Sequence, residues 1–186
     1  MKKSIGKRLP WLVILLGLGM VVSSVVGLFE AVVAHLTLIV CFQSLVLDMA
    51  GNVGTQSLAV TIRVLMDEHL SGKHKLFLIS KEARVGLLNG LLLGVLSFAF
   101  IGLYLLLLKG QSVLMAFSIS ACTGIALLVS MVLSSIAGTA IPILLKKIKV
   151  DPAVASGPLI TTINDLVAVV SYYGLAWILL INILHL

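Results

Sequence analysis

The sequence predicts an all-α integral membrane protein of five transmembrane helices, and three observations carry that reading. First, 60% of the 186 residues are hydrophobic and only 11% are charged, with a mean hydropathy of +1.22. A soluble domain carries roughly 25% charged residues. Second, five apolar stretches are each long enough to cross a hydrocarbon core of about 30 Å at about 1.5 Å per residue. Third, lysine and arginine sort into alternate loops. The composition leaves no room for a large soluble domain, so residues 1–186 read as a single membrane domain of a multi-pass protein of the cell membrane. The lipid bilayer is its first partner. The formal charge of +6 flanks the apolar runs, which is a matter of topology and not of nucleic-acid binding.

The first span covers about 9–29, with Pro10 suited to a first helical turn. Lys2, Lys3, Lys7 and Arg8 precede it in the manner of a signal peptide. The apolar run from Trp11 to Phe29 is longer than a usual signal core and lacks a clean cleavage site, so the span is expected to be retained. The second span covers about 36–65 and is interrupted by a polar patch. The third covers about 85–108 and the fourth about 113–145, with Pro142 near its end. The fifth covers about 152–184, entered at Pro152, with Pro158 one to two turns inside. Of the thirteen basic residues, only Lys109 falls outside the N-terminal tail and the loops after the second and fourth spans. The positive-inside rule then places the N-terminus in the cytoplasm and the C-terminus outside.

Asp165 is the residue least expected in such a chain. A carboxylate at the centre of a span costs about 2.5–3.5 kcal/mol on insertion scales, which makes it a candidate for a cation or proton path. Gly157, Thr161, Asp165, Ala168 and Tyr172 share its helical face, and the upper half of that stripe is small and polar. The bland alternative is a buried Asp165 bonded to a neighbouring helix, through Asn52 or a threonine. Asn164 points about 100° away and need not share the role. Pro158 leaves the carbonyl near residue 154 without its helical donor, for an ion, for water or for a simple kink.

The second span carries a polar face of its own. Asp48, Asn52, Gln56 and Ala59 align on a helix, and Arg63 continues the line. Gly51 and Gly54 permit a close approach of another helix or a hydrated ion, and permit local unwinding. Such residues also serve as glue between membrane helices, so a water-lined path and plain packing both stand.

The remaining polar residues read more simply. Glu30 and His35 belong to an outer interface, and Glu82 and Arg84 to the membrane surface. Asp67, Glu68, His69 and His74 form a solvated loop without zinc spacing. Asn89 reads as interhelical glue. Cys41 and Cys122 lie in apolar runs as small packing residues. No nucleophile–base pair or hydrolase cluster accompanies Asp165, which argues against an enzyme.

The stretch Gly51-Asn52-Val53-Gly54-Thr55-Gln56-Ser57 resembles a signature of the MgtE family of magnesium channels and transporters. The stretch from Asp151 to Asp165, with Ser156-Gly157-Pro158 and Thr161-Thr162, is similar to that family's last transmembrane helix. The resemblance covers essentially the whole chain. It implies a homodimer with a pore on the two-fold axis, lined by the second and fifth helices of both subunits. It implies that Asp165 of each subunit binds a largely hydrated Mg²⁺. It adds the backbone near Thr161 and Gly157 as wall of the metal path and Asn52 as a nearby polar lining residue; from the helical faces above come Asp48, an acid on the same path at a position not acidic in every member, and Gly51, Gln56 and Ala168 as pore lining. In some members the position of Gly157 is asparagine, so side-chain coordination there is lost in this chain. Many members also carry an N-terminal cytosolic domain and paired CBS domains. This chain is expected to correspond to the transmembrane domain without them.

Magnesium keeps several of its waters and uses one or two carboxylates, which suits a pair of Asp165 groups better than it suits calcium. Oxygen donors are also compatible with Mn²⁺, and no cysteine–histidine set favours zinc. Two close carboxylates repel, so acid is expected to weaken ion binding. A carrier exchanging Mg²⁺ for Na⁺ or H⁺ and a non-transporting assembly subunit are the alternatives.

Overall fold

The computed structural model describes residues 2–35, 37–66 and 71–184. They form six α-helices: α1 (Lys2–Gly27), α2 (Glu30–His35), α3 (Thr37–Leu65), α4 (Gly72–Leu107), α5 (Val113–Lys147) and α6 (Pro152–Ala176). Past Ala176 the last helix widens into π geometry over Trp177–Ile183, and Leu184 N–H donates to the Leu179 carbonyl at 3.1 Å, five residues back. Four helices are long and apolar enough to cross a membrane: α3, α4, α5 and the stretch Gly157–Ile183. In α1 the apolar part is Leu12–Gly27, shorter than these four.

The elements follow the predicted spans, with differences at the first. The helix begins at Lys2, ahead of the predicted start, so Pro10 lies inside α1 and not in its first turn. A short helix, α2, occupies the predicted outer hairpin. It begins at Glu30 and buries Val32 in the core. The α4 helix starts well before the apolar stretch, at a Ser71 cap whose hydroxyl accepts from His74 N–H and contacts His74 Nδ1 at 2.8 Å. Asp67, Glu68 and His69, and the side chain of His35, lie outside the described residues.

The centre of the bundle is α5. Half of its apolar window is buried, against a third for α4, because α5 packs against α3, α4 and α6 while α3 and α4 barely touch. The α4–α5 pair is antiparallel and very close. A Cβ on Gly94 would sit 2.8 Å from the Gly124 carbonyl oxygen, and one on Gly124 would sit 2.7 Å from that of Gly94. Two backbones in such contact need glycine on both sides, which is the small-residue packing of membrane helices. The turn between them carries Gly110 at φ 63°, where a side chain would be strained.

Two tyrosines join α6 to α3 at the end away from the lysine-rich loops. Tyr172 donates to the Ile39 carbonyl at 2.8 Å and contacts Thr123 of α5. Tyr173 donates to Gln43 Oε1 at 2.6 Å and stacks on Phe29. Cys122 lies in this core, whereas Cys41 is exposed; both are free thiols. At the opposite end Lys146 donates to the Leu65 carbonyl, which brings the basic ends of α3 and α5 together.

Gly124→Leu should therefore force α4 from α5. Overpacking of this kind costs about 1–3 kcal/mol or more. The expected result is a clear fall in the melting temperature of the detergent-solubilised protein. An unchanged melting temperature would refute the close crossing.

Candidate metal path

The α3 helix is built inside out relative to a lipid-facing helix. Its buried side carries small and apolar residues: Val46, Ala50, Val53, Gly54, Ser57, Leu58 and Thr61. Its exposed side carries Asp48, Asn52, Thr55, Gln56, Ala59 and Arg63. Asn52 Nδ2 donates to Asp48 Oδ2 at 3.2 Å, one turn back. Thr55 turns its hydroxyl onto the carbonyls of Gly51 and Asn52, each at 3.0 Å. The helix is continuous through Gly51 and Gly54, so the unwinding those glycines permit is absent here. A Cβ at Gly51 would meet nothing within 4 Å, whereas Gly54 is enclosed.

On α6, Thr161 is exposed and Asp165 and Gly157 are half-buried. A cleft of about 480 Å³ opens between α1 and α6, lined by Leu15, Gly19 and Val22 on one side and Pro158, Thr161, Thr162 and Asp165 on the other. The two threonines bond to the carbonyls one turn back, Thr161 to Gly157 and Thr162 to Pro158, both at 3.1 Å. The helix runs through Pro158 without a break. Asp165 makes no hydrogen bond among the described residues, so the alternative of a carboxylate bonded to Asn52 or a threonine within the subunit does not hold. Gly157 has open space where a Cβ would stand.

The rest of the predicted stripe turns inward. Ala168 is fully buried in the core and does not line an open surface of the subunit. Tyr172 is also buried, its hydroxyl committed to Ile39. They share a face with Asp165, but that face is covered by other elements at their level. Asn89 is half-buried and makes no side-chain hydrogen bond among the described residues, so it is not the glue expected of it.

Two residues matter more than their sequence suggests. Asn164 is fully buried, and neither atom of its amide has a partner among the described residues. It presses on Gly54 of α3: a Cβ there would lie 2.8 Å from Asn164 Cγ. On its other side Gly54 is backed by Gly138 of α5, which has no room for a side chain against the Gly54 carbonyl. Gly54 is thus the point where α3, α5 and α6 meet, next to Asp165. Glu82, expected at the membrane surface, is 5% exposed and held between α3 and α5. An acid in a polar run has no sequence signal of burial; it is the contacts of Ser57 and Ser135 that enclose it.

Among the described residues no three His, Cys, Asp or Glu side chains gather to hold a metal. Asp165 of one subunit offers a single carboxylate, so a cation there must keep its waters or take a ligand from another copy of the chain.

Known proteins give this arrangement a family. Residues 43–175 match the family model MgtE, described as a divalent cation transporter. Three curated relatives each carry the name magnesium transporter MgtE. That of Bacillus subtilis is 38% identical over 170 residues, 91% of this chain. That of Enterococcus faecalis is 38% identical over 176 residues, 94% of the chain. That of Thermus thermophilus is 34% identical over 173 residues, 93% of the chain. In each case the match spans 36% of the relative's length.

Gly54→Ala should drive a methyl group into the enclosed Asn164 amide. A destabilisation of about 1–3 kcal/mol is expected from such overpacking, measurable by thermal unfolding in detergent. Gly51→Ala, with open space at its Cβ, should leave the melting temperature unchanged. Equal effects of the two would refute the assigned crossing.

Proposed function

The chain belongs to the MgtE family of divalent cation transporters, and from that premise we propose that it moves Mg²⁺ across the membrane through a pore shared by two copies. The observation that carries this reading is the outward polar face of α3. Asp48, Asn52, Thr55 and Gln56 all face away from the subunit's own core within a helix long and apolar enough to span a bilayer. Hydrocarbon offers such groups no hydrogen bonds. Water or a second subunit must cover them, and a dimer with α3 and α6 at its axis supplies both. The relatives' name, magnesium transporter, supports the choice of ion.

In this arrangement Asp165 from each subunit contributes one negative charge to a site on the axis. Two carboxylates suit a cation that gives up water reluctantly and retains most of its shell. Thr161 and Gly157 continue the wall on the same side of α6, and their small size leaves room for that shell. Asn52 lines the path from α3 and orients Asp48 through its hydrogen bond. Gln56 and Gly51 complete the lining on that helix. Oxygen donors of this kind also admit Mn²⁺. The lysine-rich ends face the cytoplasm, in accord with the positive-inside rule.

The test is Mg²⁺ flux into proteoliposomes under an imposed membrane potential, without a Na⁺ or pH gradient. The wild-type chain should conduct, and Asp165→Asn should reduce flux by at least tenfold with assembly intact. Flux that requires a counter-ion gradient would point to exchange. Acidification should lower wild-type flux, because a carboxyl that has taken up a proton no longer attracts the cation. Equal flux in both proteins would overturn the assignment of Asp165.

A further inference from the structure

The α3 and α4 helices scarcely touch, because each packs on α5 and not on the other. The gap between them is a groove of about 610 Å³, open along the side of the bundle. Cys41, Leu45 and Met49 of α3 form one wall, Leu96 and Phe100 of α4 form the other, and Leu127 of α5 forms the floor. The hydroxyl within it, that of Ser97, donates to the Gly94 carbonyl at 2.9 Å, so the surface offered is apolar. The groove is separate from the cleft that holds Asp165, which opens between α1 and α6.

The length of the groove and the difference between its ends narrow what it fits. On α4 its lining runs from Leu93 to Tyr104, about 16 Å of helix at about 1.5 Å per residue. That is about half of a hydrocarbon core of about 30 Å, the depth of a single leaflet. The deep end stops on α3 at Met49, next to Asp48 of the polar face. At the shallow end Tyr104 meets Phe42 of α3 edge to face, with ring centroids 6.3 Å apart. Tyrosines collect at headgroup level in membrane proteins. Just beyond, in the turn to α5, the Lys109 ammonium lies over the Tyr104 ring, 6.0 Å from its centroid. Lys109 is exposed, and it is the one lysine or arginine that the sequence places at this end. Glu30 of α2 is an acid at the same end, and no ion pair joins the two among the described residues.

An apolar slot one leaflet deep, with a cation at its interfacial mouth, complements a molecule that has a hydrocarbon tail and an anionic head. We propose that the groove between α3 and α4 binds an anionic phospholipid, with one acyl chain between the helices and the phosphate paired with Lys109. The lysine stem lies along apolar surface while its ammonium reaches the headgroup layer. A basic residue at a membrane surface attracts an anionic lipid there. The acyl chain fills the gap that the protein's own side chains leave, and it braces the apolar end of α3 ahead of Asp48. Such binding is independent of which ion the protein moves.

Cys41 supplies the readout, since it is exposed in the groove wall whereas Cys122 is buried. Its rate of modification by a maleimide is followed by mass spectrometry on the detergent-solubilised protein. Phosphatidylglycerol added to the micelles should slow the reaction, with half-protection at about fivefold lower lipid content than phosphatidylcholine requires. Lys109→Gln should raise the phosphatidylglycerol requirement to that of phosphatidylcholine, and Lys109→Arg, which keeps the charge, should keep the preference. Equal half-protection by the two lipids in the wild type would overturn the proposal, as would a preference that survives Lys109→Gln. Cys41 that reacts at the same rate at every lipid content would overturn it too. Protection that follows protein concentration and not lipid content would place a second copy of the chain in the groove, which also contradicts it.

Discussion

Hydrocarbon does not solvate polar groups, and the whole arrangement of this chain follows from where it puts them. Backbone groups are satisfied within the helices, as any spanning segment requires. Three threonine hydroxyls inside the bundle bond to carbonyls of the preceding turn: Thr61 to Ser57, Thr123 to Ile119 and Thr139 to Ser135. These groups are neutral and occupied, and they let helices approach closely. The polar face of α3 is treated in the opposite way. It is left outside the subunit's core, where hydrocarbon would offer it no hydrogen-bond partner.

The close contact of helices is what keeps the two kinds of polar group apart. Gly54 brings α3 against α5 and α6. With Val53 and Ser57 it forms the inner side of α3, and Asn52 and Gln56 fall on the outer side by helical geometry alone. Asn164 presses on the same glycine from α6, which turns its neighbour Asp165 toward the cleft beside α1. The rotation of α3 and the rotation of α6 are therefore fixed at one point. About one turn further along the same inner side, Ser57 meets Glu82 of α4.

Much of this was legible in the sequence. Hydropathy and the sorting of basic residues located the spans, and the cost of an acid in hydrocarbon singled out Asp165. The helical repeat placed Asp48, Asn52 and Gln56 on one exposed face. The same repeat misled at Ala168, which is buried, as is Tyr172 beyond it on that face. They do align with Asp165, but a helical wheel does not record what covers each level of the helix. Beside Asp165 the α1 side chains leave a cleft, whereas Tyr172 meets Ile39 and Thr123. Glu82 was misjudged for a related reason. It sits among Lys81, Arg84 and other polar residues, a pattern that reads as surface, and only the packing of Ser57 and Ser135 onto it makes it interior. Asn164 carried no signal beyond its type, because its importance comes from a glycine more than a hundred residues away.

The central claim is that the polar face of α3 meets water and not lipid in the assembled protein. Its most direct test is accessibility in proteoliposomes, with Cys41 and Cys122 replaced by alanine and single cysteines placed at Asn52, Gln56 and the lipid-exposed Leu92. A membrane-impermeant thiol reagent should label positions 52 and 56, with labelling slowed by Mg²⁺, and leave position 92 unmodified. Labelling absent at 52 and 56, or no faster there than at 92, would contradict the account.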